Sequence, residues 1–155
     1  MKRMLLLMLT VLLIISCKSH KKAGKEDTSE APNTPSLSLI ASDLYGGAEE
    51  EVFEVIRDQA ALQKFYRKVN MTRKPGLAVP QIDFTKNMAV LYCSGSTNTS
   101  EIPTMHISLE NDSEMLLKKA KTHFKDSINQ GTAALTPFGL YLLPLTDKQV
   151  ILSQK

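Results

Sequence analysis

An apolar run at the start of the chain stops abruptly at a cysteine, and a polar segment follows before any further apolar pattern begins. Residues 4–15 are apolar except for one threonine, and Lys2 and Arg3 precede them. A run of 12 residues is too short to cross a bilayer, since a spanning helix needs about 20. The positive start, the length and the small residue Ser16 are typical of a secretory signal. Residues 1–16 are therefore predicted to be a signal peptide, outside the folded domain.

The last residues of this run, Ile14-Ile15-Ser16-Cys17, resemble the lipobox of bacterial lipoproteins. In those signals the cysteine thiol is alkylated by a diacylglycerol, the signal is cut in front of it, and the new amino terminus is usually acylated. Cysteine suits this chemistry because its thiolate is a strong nucleophile. Several acyl chains on one residue also make an anchor durable, whereas one chain binds only marginally. The resemblance implies lipidation of Cys17, and the alternative is an ordinary secretory signal with an incidental cysteine.

The segment from Cys17 to residue 36 is predicted to be a lipidated cysteine and a flexible linker. Residues 18–36 contain no large apolar side chain, so they cannot bury enough surface to offset the entropy lost on ordering. Lysines, rather than the acidic residues that mark some lipoproteins for surface export, follow the cysteine. We therefore expect a lipid-anchored protein of the bacterial cell envelope, in the outer membrane and facing the periplasm. The lysines could also touch anionic head groups, as the alternative to a solvated tether.

Charge and cysteine content exclude some classes of protein. Without Lys2 and Arg3, 17 basic residues remain against 16 acidic ones, so nothing favours a nucleic-acid partner. Cys17 and Cys93 are the two cysteines, and a lipidated Cys17 leaves Cys93 without a disulfide partner. Because Cys93 lies in the apolar run MAVLYCSG, we expect a buried, inert thiol. Residues 37–155 have the length of one domain that can bury a core without disulfides.

The apolar pattern of residues 37–155 predicts an α+β fold, with a mostly antiparallel sheet of five to seven strands and one early helix packed on it. Apolar residues on one helical face predict the helix over 59–69: Leu62, Phe65, Tyr66 and Val69. One strand is expected before Gly46-Gly47 and another at about 51–57. A strand at about 86–93 is apolar on both faces and is therefore predicted to be central.

After the strand at about 86–93, the hydrophobic pattern differs from one segment to the next. In TMHISLE, the alternation predicts a strand with Met105, Ile107 and Leu109 facing inward. Residues 114–124 fit a helix slightly better than a strand on pattern alone, because lysine, leucine, methionine and alanine are good helix formers. The segments TPFGLYLLP and KQVILSQ flank LTD, and this arrangement predicts a closing hairpin.

The order of segments over about residues 50–153 resembles the PrcB-like C-terminal domain, a family named after a protease-complex subunit. The resemblance rests on PQIDF at 80–84, on MAVLYCSG followed by a polar loop and two strands, and on TPFGLYLLP before a final strand. It implies a strand rather than a helix at 114–124. It also implies a non-catalytic role, in which the protein associates with or stabilises an extracytoplasmic protein such as a protease. The TGGY-type loop of the family falls near Thr99-Ser100-Glu101-Ile102, where both glycines and the tyrosine are missing.

No constellation of catalytic residues emerges from the sequence, so we expect no enzyme, no cofactor and no metal. CSGS lacks the Gly-x-Ser-x-Gly pattern of a nucleophile elbow, and Glu49–Glu51 lacks the spacing of a calcium loop. The candidate interaction surface joins the polar loop to the approach to the late strand, which the family topology places near one another. Its residues are Thr97, Asn98, Thr99, Glu101, Thr136, Pro137 and Phe138. An exposed Phe138 would suit protein recognition, and the alternative is that it closes one end of the sheet.

Two functional hypotheses follow from these patterns. The first is a lipid-anchored accessory or binding protein of a Gram-negative envelope, attached to the membrane through Cys17 and associating with a protein partner. The second is a small-ligand-binding lipoprotein, or an unrecognised hydrolase, with its cavity between the helix and the sheet. A deep pocket with converging polar groups would favour the second hypothesis, and a filled core would dismiss it.

Overall fold

The computed structural model describes residues 36–46, 48–120 and 134–153. The predicted signal peptide, Cys17 and the linker up to residue 35 lie outside these ranges, as do residues 121–124 of the ambiguous segment. The described residues form seven strands and one α helix, which confirms the sheet-dominated α+β fold. The strands are β1 (Ser38–Asp43), β2 (Glu51–Ile56), β3 (Asn87–Ser94), β4 (Met105–Glu110), β5 (Glu114–Lys119), β6 (Phe138–Pro144) and β7 (Gln149–Leu152); the helix is α1 (Gln59–Val69), followed by a 3-10 turn (Asn70–Thr72).

The seven strands form two sheets rather than the single sheet expected. The larger sheet has the strand order β1-β6-β3-β2, and all its pairs are antiparallel. The smaller sheet has the order β4-β5-β7, in which β4 pairs with β5 antiparallel and β5 pairs with β7 parallel. Strand β3 is interior, as its apolar character on both faces predicts.

Alternate side chains of the four-stranded sheet enter two separate hydrophobic cores. Strand β3 shows this directly, because Leu91 points toward α1 while Val90 points toward the smaller sheet. The domain is therefore three layers deep: helix, four-stranded sheet and three-stranded sheet. The helix-side core consists of Ala48, Ile56, Leu62, Tyr66, Val69, Ala89, Leu91, Cys93, Phe138 and Leu140. The inter-sheet core consists of Met88, Val90, Tyr92, Met105, Met115, Leu117, Tyr141 and Leu143.

Helix α1 begins and ends where the sequence predicts. The Asp58 carboxylate accepts a hydrogen bond from the Ala61 amide at 2.8 Å and so caps the first turn. Leu62, Tyr66 and Val69 are buried against the sheet. The helix ends beside Arg67 and Lys68, whose charges suit the negative end of the helix dipole.

Two predictions about the later strands need correction. Leu109 does not face inward: it is 55% exposed, because the register of β4 against β5 shifts between Ile107 and Leu109 and reverses the alternation. The closing hairpin is also wrong. Strand β6 already pairs with β1 on one side and β3 on the other, so β7 has no free edge of β6 to join. It crosses to the smaller sheet and lies parallel to β5.

The ambiguous segment at 114–124 forms strand β5 from Glu114 to Lys119. Met115 and Leu117 are buried in the inter-sheet core. Tertiary burial therefore outweighs the helix propensity of its lysine and leucine residues.

Candidate functional site

The predicted polar loop, residues 97–101, follows strand β3 and is preceded by Gly95. An L residue in place of this glycine would be strained. Gly95 has φ +78°, and a Cβ atom there would lie 3.0 Å from the backbone carbon of Glu50. The next amide, that of Ser96, donates a hydrogen bond of 2.8 Å to the Glu49 carbonyl. The backbone before β2 thus holds the start of the loop in place.

The approach to β6 holds the loop from its other side. Thr97 and Leu135 exchange two backbone hydrogen bonds, of 2.8 and 2.7 Å. The Ser94 amide donates to the Pro137 carbonyl at 3.0 Å. The structure therefore brings together the loop and the approach to the late strand.

Part of the predicted surface is buried in the core. Pro137 and Phe138 are less than 2% exposed, and the Phe138 ring stacks edge-to-face on Phe65 with centroids 5.1 Å apart. Of the two alternatives for Phe138, the exposed ring is excluded, because alternation along β6 directs this side chain toward α1. Thr136 is half-buried, and its backbone bonds to Leu44 and Gly46.

The remaining loop residues border a depression with a volume of about 340 Å³, the polar cleft. Hydroxyl-bearing residues make up much of its wall, with Glu101 as its one carboxylate. The Thr99 amide donates a hydrogen bond of 3.2 Å to the Thr97 Oγ1 atom. Asn98 is exposed but does not line the cleft. The lining residues are Tyr92, Ser94, Ser96, Thr97, Thr99, Glu101, Ile102, Pro103, Thr104, Lys119 and Ala120.

A hydrogen-bonded trio lies at the cleft and links the two sheets. The Tyr92 hydroxyl and the Lys119 Nζ atom both donate to Glu51 Oε1, each at 3.0 Å. Lys119 Nζ also lies 5.6 Å from the centre of the Tyr92 ring, a cation–π distance. Sequence reasoning missed Tyr92, Glu51 and Lys119, because they come from three strands, β3, β2 and β5.

The trio has a defined charge state at neutral pH. The hydrogen bond from Lys119 lowers the pKa of Glu51, burial opposes this shift, and the bond from Tyr92 adds to it. The bond to Glu51 raises the pKa of Lys119, and burial raises the pKa of Tyr92. Glu51 is thus a carboxylate, Lys119 an ammonium and Tyr92 a neutral phenol. The cleft offers hydrogen-bond donors and acceptors suited to recognising a polar surface.

A second depression, the helix–sheet cavity, lies between α1 and the β2–β3 edge of the larger sheet and has a volume of about 330 Å³. Its wall is mainly apolar, with charged groups at the rim. Burial raises the pKa of the Cys93 thiol in this wall to about 11, so the thiol stays protonated at neutral pH. The lining residues are Gly46, Ala48, Val52, Glu54, Ala61, Lys64, Phe65, Lys68, Leu91 and Cys93.

No three His, Cys, Asp or Glu side chains in residues 36–46, 48–120 and 134–153 are grouped to bind a metal ion. Helix α1, the one α helix of these residues, is too short to cross a bilayer. The chain matches no protein-family model, no curated protein and no solved structure. The PrcB-like resemblance therefore stays a prediction from the order of segments.

Proposed function

We propose that the protein is a lipid-anchored accessory protein of the bacterial envelope that binds another protein through its polar cleft. The proposal of a lipid anchor rests on the segment Ile14-Ile15-Ser16-Cys17, which ends a short apolar run. The polar linker of residues 18–36 would then tether the folded domain to the membrane. The proposed location of the protein is the periplasmic side of the outer membrane.

Three features support the binding role. The walls of the cleft are supported by strands β3 and β5 and by backbone bonds to Glu49 and Leu135, so a partner meets preorganised groups. Thr97, Thr99 and Glu101 of the predicted surface all line it. The PrcB-like order of segments adds a class of partner: an extracytoplasmic protein such as a protease, which this protein would associate with or stabilise.

Metabolic labelling with a palmitate analogue tests the anchor. The native chain should incorporate the label, and the Cys17→Ser chain should not, because a hydroxyl does not replace the thiolate as the nucleophile. Equal labelling of the two chains would contradict lipidation at this residue.

Crosslinked pull-down from membranes tests the partner. The double variant Thr99→Arg/Glu101→Arg adds two bulky cations to the cleft and should abolish the capture of a specific protein that the native chain retains. The matched control Gln63→Arg/Asp112→Arg changes the net charge equally at exposed positions outside the cleft. Equal capture by all three chains would overturn the assignment of the cleft as the binding surface.

The helix–sheet cavity favours small-ligand binding as a second candidate function. Its volume of about 330 Å³ lies at the lower end of the range of ligand pockets, about 300–1,000 Å³. The protonated Cys93 thiol favours binding over nucleophilic catalysis here, since the thiolate is the reactive form.

A further inference from the structure

One face of α1 lines the helix–sheet cavity instead of filling it. Ala61, Lys64, Phe65 and Lys68 all line the cavity. Their spacing of three, one and three residues places them on one stripe of the helix. The neighbouring stripe, which carries Leu62 and Tyr66, is buried against the sheet. The helix therefore presents an apolar surface and two lysines to the same opening.

The opposite wall consists of two cross-strand pairs on adjacent strands. Val52 of β2 pairs with Cys93 of β3, and Glu54 pairs with Leu91. Leu91 and Cys93 are each 1% exposed, so this wall is part of the helix-side core. Strand β2 is the edge of its sheet, and exposed Glu54 lies on this edge.

The two lysines have no carboxylate partner among the residues that the structure describes. The ion pairs there involve Arg73, Lys86, Lys119 and Lys148. Lys64 and Lys68 are exposed and share the cavity rim with the single carboxylate of Glu54. The rim therefore carries excess positive charge above an apolar interior, which complements an anionic head on an apolar tail.

We propose that the helix–sheet cavity binds a fatty-acid anion of medium chain length. The alkyl chain lies between Phe65 and the Val52–Cys93 pair, and the carboxylate faces Lys64 and Lys68. At roughly 30 Å³ per methylene, close to the volume of a water molecule in the liquid, the cavity accommodates a chain of roughly ten carbons. This inference rests on the second candidate function, small-ligand binding, and is independent of the lipid anchor and the protein partner.

Decanoate is the probe for this site, and the full chain carrying Cys17→Ser is the protein used. Isothermal titration calorimetry measures binding, because the buried, protonated Cys93 thiol is a poor target for a chemical probe. Decanoate should bind saturably, with one site per chain. Hexanoate should bind at least tenfold more weakly than decanoate, since each buried methylene contributes about fourfold in affinity.

The double variant Lys64→Gln/Lys68→Gln tests the role of the charge. It should weaken decanoate binding about tenfold, the range expected for two partly solvated ion pairs, and should leave decanol binding unchanged. The matched control Arg67→Gln/Lys74→Gln removes two cations outside the cavity and should bind decanoate as the starting chain does. Circular dichroism and thermal unfolding verify that each variant is folded.

Three results would overturn the proposal. They differ in whether they also refute small-ligand binding, the second candidate function. Decanol binding as tightly as decanoate would refute the anionic ligand but leave small-ligand binding in place. Binding of neither compound by the folded chain would refute both. Decanoate binding by the Cys17→Ser chain, together with no binding by the lipidated chain, would show that the protein's own acyl chain occupies the cavity.

Discussion

The two faces of the four-stranded sheet are closed in different ways, although the same strands supply both. On one face, the 11 residues of α1 close the helix-side core together with apolar side chains of residues 77–84, and they leave a cavity beside β2. On the other face, a three-stranded sheet closes the inter-sheet core, and the polar cleft lies where β3 ends and β5 meets it. One face thus offers an apolar site and the other a polar one.

Geometry explains the difference between these faces. A helix with its side chains is about 10 Å across, whereas at about 4.8 Å per strand a four-stranded sheet is roughly 19 Å wide and a three-stranded sheet roughly 14 Å. One helix therefore cannot cover the sheet from edge to edge, and the uncovered part lies beside edge strand β2. A second sheet covers a wider area, so unfilled volume on that face is confined to its margin.

The largest expected loss of stability comes from substituting Phe138. The size of this loss distinguishes a ring buried in the helix-side core from an exposed recognition residue. Phe138→Ala should lower the free energy of unfolding by about 3–5 kcal/mol, because the ring is fully buried against α1. The control Tyr45→Ala removes an aromatic ring that is 50% exposed and should cost about 1 kcal/mol or less. Urea denaturation measures both, and a loss below 1 kcal/mol for Phe138→Ala would place this residue outside the core.

Substitution of leucine at two alanines, one outside the helix–sheet cavity and one in its wall, tests whether the cavity is unfilled. Ala89 and Ala61 both contact the helix-side core, but only Ala61 lines the cavity. Ala89→Leu should destabilise the domain by about 1–3 kcal/mol through overpacking. Ala61→Leu should change stability by about 0.5 kcal/mol or less, because the cavity accommodates the added carbons. Equal losses in thermal unfolding would show that the space beside Ala61 is filled.

The polar cleft on the opposite face depends on the backbone at Gly95. Gly95→Ala should cost about 1–2 kcal/mol, because an L side chain is strained at positive φ, and the added Cβ would also press on the backbone of Glu50. The neighbouring change Ser96→Ala, at an exposed position, should be close to neutral. If Gly95→Ala were as stable as the native chain in urea, the loop would not hold the conformation described.

The smallest effect is the pH dependence of the Glu51–Lys119 pair. Both side chains are 47% exposed, so the pair should contribute about 0.5 kcal/mol. The folded pKa of Glu51 lies below its ordinary value of 4.5, so this contribution is present above that pH and disappears as the pH falls through the folded pKa. Glu51→Gln should therefore be less stable than the native chain at pH 7, and the difference should shrink as the pH falls below 4.5. A difference that stayed constant as the pH fell through the acid range would contradict the ion pair as its cause.

Local patterns predicted the elements whose partners are decided locally. Asp58 and the apolar stripe from Leu62 to Val69 specify α1 without reference to the rest of the chain. The two apolar faces of β3 likewise require layers on both sides. The turn chemistry of LTD is local and predicts a hairpin that includes residues 149–152, whereas the choice of partner depends on which strand edges are free. No local pattern reports that β6 is already paired on both sides.

The candidate sites show the same limit. The polar loop was recognisable from its composition, but Tyr92 and Lys119 meet Glu51 across separations of 41 and 68 residues. The cavity depends on how far α1 reaches across the sheet, which the helical periodicity does not encode. The sequence leaves two places open for Phe138, the surface and the end of the sheet, because the Thr-Pro-Phe motif does not reveal which face of β6 the ring joins.

Intact-mass spectrometry of the protein extracted from membranes tests the central proposal, a domain anchored through lipid on Cys17, most directly. We predict a chain that begins at Cys17 and carries the added mass of a diacylglyceryl group, with or without a further acyl chain. A chain that keeps residues 1–16, or one that begins at Cys17 without added lipid, would contradict it.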